Sequence, residues 1–167
     1  YESAFESFIN NIKTWWYAIL NWNCESSLKL VWKRSDISYV LVYNNSEIKI
    51  TRPASLHHHW GGFEGELKVP YINMQIPGDH ILFDAHIAFA VGFILWLKEQ
   101  EIIKSLEWYT WIWRRSENIW KTINWNILMS DYGHHPTEIN LTLNALKEKN
   151  KDKKIFVVFQ PHQYSRT

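Results

Sequence analysis

Ile127-Leu128-Met129-Ser130-Asp131-Tyr132-Gly133-His134-His135-Pro136-Thr137-Glu138, followed after a polar stretch by Ile155-Phe156-Val157-Val158-Phe159, is the part of the sequence that decides the fold. Residues 127–129 form a short apolar run that stops at Ser130-Asp131, which reads as a strand. Pro136 opens a helix running to about Lys149, because proline fits the first helical turn, where its missing N–H would have been unpaired anyway. Residues 155–159 are apolar throughout, as in a strand buried on both faces of a parallel sheet and reached by a helical crossover. Strand, helix and strand in that order predict a βαβ unit and an α/β fold.

Upstream, Phe5, Phe8, Ile9 and Ile12 recur at helical spacing and predict an amphipathic helix over 2–13. A strand is expected at 17–20, a helix at 25–33 and a β-branched and aromatic strand at 37–43. Asn44-Asn45 reads as a hairpin turn into a strand at 47–51. Gly61, Gly62 and Gly65 punctuate a further strand pair, at about 63–69 and 72–76, which Pro77-Gly78 ends. Helices are expected at 81–97 and 99–107, and then a connection carrying Arg114-Arg115. A domain boundary is expected there, between 1–115 and 116–167.

The composition narrows the function classes. At 167 residues the chain can build a core without staples, and its only cysteine, Cys24, permits no internal disulfide. The net charge of +1 comes from interspersed signs, without the basic stripe needed to neutralise nucleic-acid phosphates. Residues 81–97 are interrupted by Asp84 and His86 and fall short of the roughly 20 apolar residues that span a bilayer. The first residues show no basic region followed by an apolar run, so no secretion signal is expected and a cytoplasmic location is.

Chemistry is concentrated at 130–138, where a carboxylate, a phenol and two imidazoles lie between the end of a strand and the start of a helix. Ligands bind at that place in open α/β sheets, and the free N–H groups of a helix start favour anions. A solvated polar loop is the bland alternative. Residues 161–167 form a second candidate, in which Arg166 can hold a carboxylate or phosphate by paired hydrogen bonds or stand free in solvent. Arg114-Arg115 is read either as a phosphate clamp or as an ordinary surface pair. His57-His58-His59 suggests a metal, but three consecutive side chains project in different directions and do not converge on one tetrahedral ion. No metal site is expected. No Gly-x-x-x-x-Gly-Lys-Ser/Thr loop occurs in the 167 residues, which excludes a self-contained P-loop ATPase.

Asp131-Tyr132-Gly133-His134-His135-Pro136-Thr137-Glu138, with residues 157–162 and Tyr164-Ser165-Arg166-Thr167, resembles the signatures of the Mur ligases, specifically the UDP-N-acetylmuramate:L-alanine ligases. Ile76-Pro77-Gly78-Asp79-His80 looks like the end of that family's central ATPase domain, and Trp113-Arg114-Arg115 like the hinge into its C-terminal domain. The resemblance implies an internal fragment: the later part of the central domain over 1–115, then the start of a Rossmann-like C-terminal domain over 116–167. It implies peptidoglycan synthesis, in which UDP-N-acetylmuramate and L-alanine are joined at the expense of ATP with Mg2+, by way of an acyl phosphate on the muramyl carboxylate. By similarity Arg115 and His134 are the expected catalytic residues. Arg115 would face the ATP phosphates, Asp131 the ribose and His80 the adenine side. Tyr132, His134 and Arg166 would face the substrates. The fragment alone is expected to be inactive, because the family's P-loop would precede it.

The sequence departs from the family pattern at Ile81 and Asp84, where asparagine is usual, at Gln163, where arginine is, and at Ser130, where aspartate is. Three rivals remain: a murein-peptide recycling ligase of the same superfamily, a non-catalytic nucleotide- or precursor-binding module, and a histidine metalloprotein.

The chain has 11 tryptophans against 6 glycines, so glycine stands at about half its usual ~7%. Asn21-Trp22-Asn23 and Asn124-Trp125-Asn126 occupy polar breaks beside strands, where a tight turn would use glycine. Similar ligases would accommodate glycine at Trp22, Trp96, Trp111, Trp120 and Trp125 and at one or both of Trp15 and Trp16, whereas Trp113 looks genuine. The expectation is a gene whose UGA codons mean glycine.

Overall fold

The computed structural model describes residues 2–51, 64–76, 78–110 and 114–161. It is a mixed α/β chain whose elements run α1 (Glu2–Asn10), β1 (Tyr17–Asn21), α2 (Glu25–Leu28), β2 (Ser38–Val42), β3 (Glu47–Thr51), β4 (Gly65–Lys68), α3 (Asp79–Ile94), α4 (Glu99–Glu107), β5 (Glu117–Lys121), β6 (Ile127–Ser130) and α5 (Pro136–Lys149). Two compact units result, one from 1–72 with 83–104 and the other from 73–82 with 105–167.

The first unit holds a four-stranded sheet of order β1-β2-β3-β4. β1 runs parallel to β2, and β3 and β4 are antiparallel to their neighbours. All five residues of β2, Ser38-Tyr39-Val40-Leu41-Val42, are buried, so this strand is covered on both faces. On one face Tyr39 and Leu41 join Ile9 of α1, Ala18, Leu30 and Ile37 in a core. On the other, Val40 pairs with Ile50 and Val42 with Ile48, all at most 1% exposed. Each such side chain contributes about 1.5–3 kcal/mol by leaving water.

Two devices fix this unit. The Arg34 guanidinium donates from Nη1 to the carbonyls of Ile9, Asn10 and Ile12, closing the open end of α1, while its Nε and Nη2 hold the Asp36 carboxylate. That pairing keeps Asp36 below the usual carboxylate range. α3 buries Ala85, His86, Phe89 and Ala90, and His86 Nε2 lies 3.5 Å from Ser46 Oγ in the β2–β3 turn. α4 approaches α3 at Gly92, where a β-carbon would stand 2.8 Å from Ile102 Cδ1.

The second unit holds the antiparallel pair β5–β6, with a register irregularity at Asn118/Trp120, and α5. β6 and α5 fall where the sequence places them. Three expectations change. The helix over 25–33 is a single turn at Glu25–Leu28, continued by turns rather than helix. Residues 72–76 form no strand: Ile72 and Ile76 are buried, but the Asn73 N–H is taken by the Glu107 carboxylate, and β4 pairs with β3 instead. Residues 155–159 are extended but joined to no ladder among the described residues, with exposures from 40% to 98%. Among the described residues the expected βαβ unit is therefore not formed: β6 and α5 are there, but β6 pairs antiparallel with β5 and no parallel strand follows the helix. No described helix is long and apolar enough to cross a membrane.

Candidate functional site

The junction between β6 and α5 gathers most of the expected residues. Asp131 begins it as a turn-former, its Oδ1 accepting from the Gly133 N–H at 2.7 Å and its Oδ2 from the Ser116 N–H at 2.8 Å. Gly133 allows this close approach, since a β-carbon would lie 2.8 Å from that same Oδ1 and would push the carboxylate aside. Asp131, expected at a ribose, thereby ties the loop to residues 114–116, with lone pairs on both oxygens still open to a further donor.

The 114–116 segment is itself unusual. Arg114 and Ser116 both have left-handed φ, at 55° and 46°, so the backbone turns sharply on each side of Arg115. Non-glycine residues held in this region store of order 1–3 kcal/mol each and cluster where geometry is functionally fixed. What holds them is visible: Tyr132 N–H donates to the Arg114 carbonyl at 2.6 Å, Arg114 N–H donates to Glu117 Oε2 at 2.9 Å, and the Arg114 guanidinium sits 4.9 Å from the centre of the Tyr132 ring.

Arg115 reaches the start of α5, with Nη1 3.8 Å from Glu138 Oε2. His134 meets the same oxygen, through its N–H at 3.4 Å and its Nδ1 at 3.6 Å, and Nδ1 is also 3.3 Å from the Tyr132 carbonyl. The Tyr132 and His134 rings lie 5.5 Å apart. Glu138 is thus the carboxylate on which both expected catalytic side chains lean. It also sits in the first turn of α5, where the helix dipole favours negative charge. His135 serves the helix, its Nδ1 accepting from the Thr137 N–H at 3.3 Å as N-cap. The two adjacent histidines therefore have different tasks and do not converge.

Arg115, Asp131, Tyr132 and His134 come together in this way. His80 belongs to the same compact unit but stands at the start of α3, and no described contact joins it to the cluster. Its ring lies over Gly78, where φ is +129° and a β-carbon would be 2.7 Å from the imidazole, so the Gly-x-His spacing is what permits the packing. His80 Nδ1 is buried and has no partner among the described residues. Arg166, Gln163 and the histidines at 57–59 lie outside the described residues. Among the described ones, no three His, Cys, Asp or Glu side chains are grouped to hold a metal. Sequence reasoning assigned no role to Glu138 or Ser116. Glu138 had a signal, since a glutamate three residues after an N-cap is placed to reach back toward the chain before the helix.

The chain is 35% identical over 99% of its length to a UDP-N-acetylmuramate–L-alanine ligase from Hydrogenobaculum, and 33% identical over 99% to one from Aquifex aeolicus. Along 99% of its length the chain is similar to Mur ligases. The chain spans 37% of the length of these two ligases. No protein-family model matches it. The fold is that of a solved UDP-N-acetylmuramate-alanine ligase from Thermotoga maritima, with TM-score 0.61 and 23% identity over 96% of this chain and 36% of that one. A murein peptide ligase from Psychrobacter arcticus shares it, with TM-score 0.57 and 18% identity over 97% of this chain and 35% of that one. The Mur-ligase resemblance of 130–138 thus extends along nearly the whole chain.

Proposed function

We propose that the chain is part of a cytoplasmic enzyme that joins L-alanine to UDP-N-acetylmuramate in peptidoglycan synthesis. In this reading 1–115 is the later part of the central ATPase domain and 116–167 the start of the C-terminal domain. The observation that carries it is the match to alanine-adding ligases along 99% of the chain. The β6–α5 junction supports it from the structural side, because a cation and an imidazole are held on one carboxylate at a helix start.

ATP supplies the phosphoryl group that activates the muramyl carboxylate toward the amine of alanine. Two features of this chain suit a nucleotide: the buried Nδ1 of His80 beside Gly78, which has no partner among the described residues, and the half-buried Arg115. Arg115 contributes positive charge where phosphate charge develops, and its left-handed neighbours fix its position before substrate arrives. Asp131 holds the hinge segment to the loop and offers its remaining lone pairs to a hydroxyl. Tyr132 and His134 present a phenol and an imidazole to the substrate side, with Arg166 as a carboxylate partner. Magnesium binds through one or two carboxylates together with phosphates, and no residue of this chain is assigned to it.

The test is steady-state kinetics on the polypeptide made from the natural gene. Arg115→Ala lowers kcat/KM by about 100-fold, the usual scale for losing one charge-stabilising group. Glu138→Gln loosens Arg115 and His134 and lowers it only about 2–5-fold, since half-exposed ion pairs contribute at most about 1 kcal/mol. Unchanged kinetics in Arg115→Ala would remove the assigned role.

A further inference from the structure

Among the described residues, seven non-glycine positions have φ between 46° and 71°, and four of them are tryptophan: Trp15, Trp32, Trp96 and Trp125. A residue with a β-carbon rarely adopts this conformation, and for a bulky one it is an outlier. Strained side chains normally persist because packing holds them. These four are 50%, 58%, 73% and 80% exposed, so little burial offsets the strain.

Each site is one at which chain geometry calls for glycine. α3 ends in a Schellman motif, in which the Leu97 N–H donates to the Gly92 carbonyl at 3.1 Å and the Trp96 N–H to the Phe93 carbonyl at 3.0 Å. This places Trp96 at the left-handed position that glycine usually fills. In the β5–β6 hairpin, Trp125 N–H donates to the Thr122 carbonyl at 2.9 Å and Thr122 N–H to the Asn126 carbonyl at 2.9 Å. That is a turn followed by one left-handed residue, the three-residue hairpin whose last position is a glycine site. Trp15 and Trp32 are the third residues of turns closed by Trp16 N–H to the Lys13 carbonyl and Lys33 N–H to the Leu30 carbonyl. A positive φ at that position marks the turn type that takes glycine there.

We infer that residues 15, 32, 96 and 125 are glycine in the protein as its own cells make it, the tryptophans arising from UGA codons that those cells read as glycine. The backbone evidence distinguishes Trp15 from its neighbour Trp16 and adds Trp32, which composition and resemblance did not single out. It gives no such support at Trp22 or Trp120, whose φ values are not positive. Trp111 lies outside the described residues.

Two measurements test this. Tandem mass spectrometry of the protein from its source cells should read glycine at all four sites, and tryptophan at them overturns the inference. Replacing the four tryptophans by glycine in a synthetic version of the whole natural gene should raise the melting temperature, because each site is relieved of a strained backbone. The same change at exposed Trp108, which has no positive φ, should bring no gain. An unchanged or lower melting temperature for the fourfold variant contradicts the glycine-site argument even if expression succeeds.

Discussion

At the scale of single residues, Arg34, His86 and Gly78 carry consequences that differ in kind. Arg34 serves three carbonyls at the end of α1 and the Asp36 carboxylate, and its side chain is only 17% exposed. Arg34→Ala leaves those carbonyls without a donor and should cost about 2–3 kcal/mol, the range for hydrogen bonds to a charged group, as a lower urea midpoint. Burial pushes the His86 pKa below its ordinary 6.5. The unfolded chain therefore takes up a proton that the folded chain refuses. Stability is full above about pH 6.5 and declines as pH falls through the lower folded value. Urea midpoints compared at about pH 7.5 and about pH 5.5 should show that decline, and His86→Leu should flatten it. Gly78→Ala meets both a φ of +129° and the His80 ring, and should lose about 1–3 kcal/mol by thermal unfolding.

At the scale of elements, α5 was legible because several local signals agree: Pro136 at its first turn, a polar residue before it and lysines in its last turn. His135→Ala removes the N-cap and should cost about 0.5–2 kcal/mol, read as reduced amide protection in the first turn of α5. β4 and the β2–β3 hairpin followed from Gly65 and Asn44-Asn45 for the same reason. β5 was not legible, because the alternation in Glu117-Asn118-Ile119-Trp120-Lys121 is only partial and four of its five residues are exposed, so no buried face marks it. Residues 72–76 have strand-like spacing, yet the Asn73 N–H goes to a glutamate side chain, a tertiary choice no local pattern announces. Residues 155–159 are apolar enough for a buried strand, but pairing depends on a neighbour, and composition does not supply one. Within the site, the loop at 131–135 was legible from residue types. Its link to 114–116 was not, since it runs through backbone N–H groups and two left-handed residues.

At the scale of the whole molecule, the account rests on a chain that matches alanine-adding ligases along 99% of its length while spanning 37% of theirs. Fold likeness alone does not choose the amine, because a murein peptide ligase shares the architecture. In the proposed reading that choice falls to the residues assigned to the substrates, and Gln163 is where this sequence departs from the arginine usual in the resembled family. The deciding measurement is nucleotide-dependent phosphate release by the product of the natural gene, with UDP-N-acetylmuramate and either L-alanine or a murein tripeptide as acceptor amine. The account predicts release that requires L-alanine and is not supported by the tripeptide. Release with the tripeptide alone, or none with either while the nucleotide still binds, would contradict it.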